Sequence, residues 1–274
     1  MCLTPARKSL TPASCYPSNK KGDVIMATLL EAKEVTKFYG KSEHPSLNKV
    51  SFRVAEGEFI GIMGASGSGK TTLLNVLSTI DTPTSGNIWI KNVNLKSLNH
   101  TSAADFRRDN LGFIFQEYFL LDSLTIRENI AVPLTLQKLP PKKIENMVRS
   151  LAERFGIASQ LGKYPGELSG GQRQRASAAR AIVKKPGILF ADEPTGALDS
   201  SSATELLNTL YEANRELQTT ILMVTHDAYA ASFTKRILIF KDGCIIKELM
   251  NHGNNRREFY ESITAEITKL DSAR

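Results

Sequence analysis

The sequence predicts an α/β fold organised around a largely parallel sheet. Short apolar runs alternate with helix-like patterns in two blocks, about 27–115 and about 185–250, the trace left by strand–helix–strand crossovers. A glycine-rich loop joins one apolar run to a helical pattern at 64–71. A second apolar run, 188–191, ends directly in Asp192 and Glu193, as a buried parallel strand that delivers charge to its carboxyl end would.

At 274 residues, 41% of them hydrophobic, the chain can bury a substantial core. No stretch offers about eighteen consecutive apolar residues, so no membrane-spanning helix is expected. The net charge of +7 suits nucleic acid, anionic lipid or nucleotide phosphate alike. No basic stripe interleaved with aromatics is present, so a nucleic-acid partner is not expected. Cys2, Cys15 and Cys244 form no metal spacing and fit a reducing cytoplasm.

Residues 1–25 hold Pro5, Pro12 and Pro17 among scattered Ser and Thr, with Arg7, Lys8, Lys20 and Lys21 against Asp23. No apolar segment follows the basic residues, so they are not read as a secretory signal; disorder is expected. Next, 58–63 reads as a buried strand. The loop after it fits G-x-x-x-x-G-K-[ST] at Gly64, Gly69, Lys70 and Thr71, with Ala65, Ser66, Gly67 and Ser68 between. Glycines let successive N–H groups point at phosphate oxygens. Lys70 can reach the β- and γ-phosphates, and the Thr71 hydroxyl can ligate Mg²⁺. A helix opening at Thr72 turns its positive end to the same phosphates.

The apolar run 111–115 closes on Gln116. The span 117–184 shows no such strands and reads as helical. Thr125 and Glu128 are spaced as a capping box, and Ile144, Met147, Val148 and Leu151 share one helical face. Ser169 can cap a further helix whose first turn, Gly170, Gly171 and Gln172, forms a second anion site. Asp192 can hold Mg²⁺ through water, and Glu193 can accept a proton from an attacking water. The strand 220–225 closes on His226, followed by Asp227. Near the C-terminus Phe259, Ile263, Ile267 and Leu270 recur at helical spacing; that helix either packs on the core or binds a partner.

The run 168–172, Leu-Ser-Gly-Gly-Gln, together with the glycine-rich loop and 188–193, resembles the ATP-binding cassette (ABC) transporter ATPases. The resemblance covers about 29–244. It implies a P-loop NTPase (RecA-like) core with an antiparallel β subdomain and an inserted α-helical subdomain. The domain boundaries expected are an N-terminal extension at 1–25, an ATPase domain at 27–250 with the helical subdomain at about 117–184, and a C-terminal helix at 251–274. Met26 begins the segment that looks like the family's usual start, so an upstream mis-assigned start is expected.

By the same resemblance, ATP and Mg²⁺ are the cofactors. Glu193 is the catalytic carboxylate, His226 the switch histidine, and Gln116 the Q-loop residue that senses Mg²⁺ or the γ-phosphate. Thr71, Gln116 and Asp192 are the metal-site residues. Tyr39 resembles the aromatic that stacks on adenine, with Phe38 the alternative. Ser169, Gly170, Gly171 and Gln172 form the signature, which completes the nucleotide site of a second copy, and Asp199 belongs to the D-loop crossing that interface. The partners implied are that second copy and a separate membrane permease, with the segment 117–124 facing it. The chain would then sit at the cytoplasmic face of the cell membrane, peripherally. Within the family, 63–70, 191–200, 111–125 and 253–259 look like the macrolide, lipoprotein-release and peptide-antibiotic group, nearest the bacitracin-type peptide-resistance ATPases. A single-cassette ATPase of the cell-division type, a lipoprotein-release or macrolide-type ATPase, and a non-catalytic interaction subunit remain the alternatives; Glu193 and His226 argue against the last.

Overall fold

The computed structural model describes residues 27–40, 42–253 and 255–272. The expected disorder of 1–25 and the Met26 start lie outside the described residues. Two sheets organise the chain. A four-stranded sheet runs in the order β2 (Leu47–Ala55), β1 (Thr28–Lys37), β4 (Ser85–Ile90), β5 (Val93–Asn94), and every pairing in it is antiparallel. A six-stranded sheet runs β10 (Cys244–Met250), β9 (Arg236–Lys241), β3 (Phe59–Met63), β8 (Thr220–Thr225), β7 (Ile188–Asp192), β6 (Leu111–Ile114). It is parallel from β9 to β6, and only β10 pairs antiparallel.

The alternation in 27–115 therefore overstates the parallel sheet. Of its strands only β3 and β6 join that sheet; β1, β2, β4 and β5 build the antiparallel one. Chain length between strands explains the difference. The nine residues between β1 and β2 are too few for a crossover helix, which needs a dozen or more. Between β4 and β5 stand only Lys91 and Asn92, with φ of 49° and 64°, the two-residue hairpin turn that antiparallel neighbours favour.

Period-two alternation fills both faces of the parallel sheet. Leu189, Ala191, Ile221 and Met223 point into a core shared with the helices α3 (Ile126–Leu136), α4 (Pro141–Arg154), α5 (Gly170–Ile182) and α6 (Ser200–Leu217). Ile188, Phe190, Leu222 and Val224 point the other way. There they meet the antiparallel sheet and α1 (Lys70–Leu77), which buries Leu73, Leu74, Val76 and Leu77 between the two sheets. Burial on both faces is why these strands read as unbroken apolar runs.

Among the described residues, 117–184 contains no strand. Thr125 and Glu128 form a reciprocal capping box on α3. Buried Asn129 donates to the carbonyls of Leu121, Leu124 and Thr125 and accepts from Leu121 N, which pins the loop entering α3. After β8 comes a single turn, α7 (Ala228–Ala231); another helix, α2 (His100–Asn110), precedes β6. The C-terminal helix α8 (Arg256–Ser272) buries Phe259 and Ile263 against Met63, Ile237 and Ile239, with Ile267 and Leu270 half-buried on the same cluster. Those four side chains thus pack on the core. Among the described residues no helix is long and apolar enough to cross a membrane.

Candidate functional site

The carboxyl ends of β3, β7 and β8 meet at one cavity, where open α/β sheets bind their ligands. β3 is buried along its whole length and feeds the glycine-rich loop. Gly69 ends that loop at φ 105°, and a Cβ there would strike the Ser46 carbonyl. Only glycine meets both conditions. α1 begins immediately after, with no side chain capping its first turn. Its leading N–H groups are therefore donors aimed at the cavity without an intrahelical partner, the arrangement an anion fills. Lys70 Nζ lies across the loop, donating to the carbonyls of Gly64 and Ala65 at 2.8 Å each. Burial lowers the Lys70 pKa, while the charges of Glu193 and Asp192 act to raise it.

Asp192 closes β7. Burial is the first cause that raises its pKa, and the neighbouring Glu193 charge adds to it; Lys70 pulls the other way. A carboxylate held so calls for a cation. Glu193 has φ 46°, left-handed backbone that costs a non-glycine residue on the order of 1 kcal/mol. Its N–H donates to the Val224 carbonyl at 2.9 Å, which fixes it to β8. The carboxylate meets His226 twice: Nδ1 of the ring is 2.9 Å from Oε1, and the His226 N–H donates to Oε2 at 3.4 Å. With the carboxylate accepting, the ring proton sits on Nδ1. The φ of Glu193 turns its side chain toward β8 and His226 instead of along β7.

The cavity is about 640 Å³ and is lined by Ala65, Ser66, Gly67, Gly69, Lys70, Thr71, Thr72, Gln116, Asp192, Glu193 and His226, with Ser46. Gly64 and Ser68 line an adjoining smaller cleft of about 270 Å³, which shares Ala65, Ser66, Gly67 and His226 with the cavity and reaches Ile267 and Leu270. Tyr39 does not line the cavity; its hydroxyl donates to Asp81 at 2.8 Å.

Ser169, Gly170, Gly171, Gln172 and Asp199 also lie outside the cavity lining. They cluster at the adjacent starts of α5 and α6. Ser169 caps α5 in a reciprocal box: Gln172 N donates to Ser169 Oγ at 3.3 Å and Ser169 N to Gln172 Oε1 at 3.0 Å. The Gln172 side chain is thus used within the cap. Asp199 caps α6, accepting from the N–H groups of Ser201 and Ser202 at 3.0 Å each. Hydrogen bonds from the Ser201 hydroxyl, first, and from Ser202 hold its carboxyl far below the usual carboxylate range. The signature glycines serve packing as well as open backbone. A Cβ on Gly171 would come within 2.5 Å of Ser202 Oγ, and one on Gly170 within 3.0 Å of the Tyr118 hydroxyl.

Two residues that sequence reasoning missed join these surfaces. Buried Gln174 donates from Nε2 to the carbonyls of Phe115 at 2.9 Å and Pro194 at 2.7 Å. It ties the backbone before Gln116 to the backbone after Glu193. Arg180, also on α5, donates to the Tyr118 carbonyl at 3.0 Å and to that of Phe119, with burial lowering its pKa. Neither residue stands in a pattern of spacing that marks a tie between distant backbone segments. Ser46, likewise, is placed by the fold alone.

Known proteins resemble this chain over most of its length. The family model described as ABC transporter matches residues 47–196. An ABC transporter ATP-binding protein of Bacillus subtilis, YxdL, is 48% identical over 246 residues, covering 89% of this chain and 95% of that protein. The bacitracin export ATP-binding protein BceA of Halalkalibacterium halodurans is 49% identical over 237 residues, covering 86% and 94%. Among solved structures, the dimeric post-hydrolysis state of the ATP-binding cassette MJ0796 with ADP and Pi is 36% identical. It superposes with a TM-score of 0.75 over 82% of this chain and 99% of that one. An uncapped helix start behind a glycine-rich loop, two carboxylates and a histidine around one cavity, and a family match over more than half of the chain give one conclusion: this chain belongs to the ABC transporter family, as an ATP-binding subunit that hydrolyses ATP.

Proposed function

We propose that ATP binds in the 640 Å³ cavity with its phosphates on the loop 64–69 and the first turn of α1. Lys70 meets the β- and γ-phosphates in place of its present carbonyl acceptors. Thr71, Asp192 and Gln116 hold Mg²⁺ together with phosphate oxygens. The ion, when bound, neutralises phosphate charge and relieves the Asp192–Glu193 repulsion. Glu193 orients water and takes its proton, and His226 steadies Glu193 and reaches the γ-phosphate.

The observation that carries this reading is the Glu193–His226 pair, 2.9 Å apart, with Lys70 and Asp192 on one wall of the same cavity. The capped start of α5 at Ser169 lies outside it. In this reading that helix start completes the site of a second copy, and Asp199 stands at the shared interface.

The permease is a separate chain at the cytoplasmic face of the membrane. It meets a groove of about 310 Å³ that includes Glu117, Phe119, Leu120, Asp122 and Pro165. The cargo class is a bacitracin-type peptide antibiotic, supported by the length and identity of the match to BceA. The test joins both levels. The tagged chain is purified with the membrane protein it retains and reconstituted in liposomes, and phosphate release is measured with and without bacitracin. A rise in turnover with bacitracin is expected, along with greater bacitracin sensitivity in cells lacking the chain. Unchanged turnover and unchanged sensitivity would remove the peptide-antibiotic assignment.

A further inference from the structure

The Tyr39 hydroxyl meets two side chains, Asp81 and Thr72, and the Asp81 carboxylate ties the ring to its surroundings. Asp81 Oδ2 accepts the Tyr39 hydroxyl at 2.8 Å. Its Oδ1 accepts from Lys37 Nζ at 2.5 Å and from Thr82 N at 2.7 Å. Lys37 donates a second bond to the Thr82 carbonyl at 2.8 Å, and its ammonium stands 4.9 Å over the Tyr39 ring centroid. A cation above one face is attractive to the ring and leaves the other face for a planar partner. The ring remains 44% exposed. Phe38 has no hydroxyl to tether it; its backbone N–H donates to Thr84 Oγ1.

Asp81 is in turn placed by α1. The N–H groups of Ile80 and Asp81 both donate to the Asn75 carbonyl at 3.0 Å. The helix whose first turn carries Lys70, Thr71 and Thr72 into the cavity therefore also carries the anchor of the aromatic ring. One short rigid element sets both the phosphate end and the ring.

We propose that Asp81 is a positioning residue for the nucleotide base: through the Tyr39 hydroxyl it holds the ring at a fixed place relative to the first turn of α1. The proposal rests on the reading that ATP fills the cavity with its base on Tyr39. Asp81 itself touches no nucleotide. A tethered ring offers its face without first losing rotamer freedom, so binding is tighter while the chemistry is unchanged.

The test measures ATP hydrolysis by the full chain together with its inhibition by inorganic tripolyphosphate, which has phosphates and no base. Tyr39→Ala should raise KM for ATP by about tenfold, within the range of base–aromatic stacking. Asp81→Ala and Tyr39→Phe should each raise it by about threefold with kcat within about twofold, the pattern of lost binding that is equal in ground and transition states. Asp81→Asn, which keeps an acceptor, should recover part of the loss. The double variant Asp81→Ala/Tyr39→Phe should be no worse than Tyr39→Phe alone, because removing the hydroxyl already removes its bond to Asp81 along with its contact to Thr72. Tripolyphosphate inhibition should not move in any of them.

Additive effects in the double variant would overturn the proposal. So would an equal weakening of tripolyphosphate and ATP by Asp81→Ala, since Asp81 would then be supporting α1 and not the ring. If Tyr39→Ala raises KM while Asp81→Ala does not, Asp81 has no part in holding the ring and the base site stands. If Tyr39→Ala leaves KM unchanged, the base site itself is misplaced and the proposal falls with it.

Discussion

Asp192 and Asp199 stand at the two ends of one short segment, and their surroundings push them in opposite directions. Asp192 lies in the cavity, where burial and the adjacent Glu193 raise its pKa. Asp199 lies on the signature surface, where serine hydroxyls and backbone N–H groups lower it. The cavity is thus a region that stores electrostatic cost until something positive arrives. On the signature side the capping side chains are already engaged: Ser169 and Gln172 cap each other, and Asp199 caps α6. In the proposed reading the first region binds the nucleotide of its own chain, and the second, its caps preformed, is presented to the nucleotide of a partner copy. This contrast matches a site completed between chains.

The strongest way to break the cavity half of the comparison is Glu193→Gln. The amide keeps the shape and can still contact His226, but it cannot accept a proton. Turnover should fall by about a hundredfold or more, the usual worth of a positioned base, with ATP binding retained. Phosphate release and equilibrium nucleotide binding on the same preparation check both halves. Turnover near that of the unaltered chain would take Glu193 out of the base role.

The second experiment addresses the boundary between the regions. One copy carries Lys70→Ala, disabling its loop; the other carries Ser169→Arg, blocking its helix start. Both also carry Glu193→Gln so that bound nucleotide persists. Each homodimer lacks an intact pairing, whereas the heterodimer keeps one intact loop facing one intact signature. Nucleotide trapped in isolated, dual-tagged heterodimers should reach about half the level of the Glu193→Gln parent, one of two sites. Trapping no higher than in the homodimers would show that each chain completes its own site.

A third, smaller effect tests the connection. Gln174 joins the two regions through the Phe115 and Pro194 carbonyls. Gln174→Leu removes both bonds and leaves the Pro194 carbonyl buried and unpaired, but it also removes the unpartnered Gln174 Oε1, so the loss in unfolding free energy should be about 1 kcal/mol. Chemical denaturation measures it. No loss would mean that water or a shifted backbone replaces the amide.

The two regions were not equally legible in the sequence. The cavity was readable because phosphate chemistry needs glycine, lysine and hydroxyl at fixed spacing, and because β7 and β8 end in the groups they deliver. The signature was readable as a motif, yet the reason for its second glycine was not: Gly171 is required by the approach of Ser202, a residue of another helix. Gln174 and Asp81 were invisible for the same reason. Their partners are backbone carbonyls or ring hydroxyls brought near by folding, and no local spacing announces them. The antiparallel sheet was legible only by resemblance, because β1 and β2 alternate with the same apolar content as strands destined for the parallel sheet, and connection length alone separates them.

The finest test returns to the two acids. For Asp192 the folded pKa lies above its unfolded value, so the charged form opposes folding. That penalty is fully present above the folded pKa and is relieved as pH falls through it. Asp192→Asn removes the charge, so at pH 7 and without nucleotide it should raise the melting temperature by about 1–3 °C, a small figure because the group is partly solvated. The gain should shrink as pH drops toward the ordinary carboxylate pKa of about 3.9. Asp199 runs the other way. Its folded pKa is depressed, so its contribution is present above the unfolded value and is lost as pH falls through the folded one. Asp199→Asn should therefore lower the melting temperature, by an amount that stays constant from neutral pH down to about 4 and declines only below it. Thermal scans of both variants from pH 8 to 4 without nucleotide measure the two signs together. The same sign for both would mean that Asp192 and Asp199 do not sit in opposite electrostatic surroundings, and the contrast between the cavity and the signature surface would go with it.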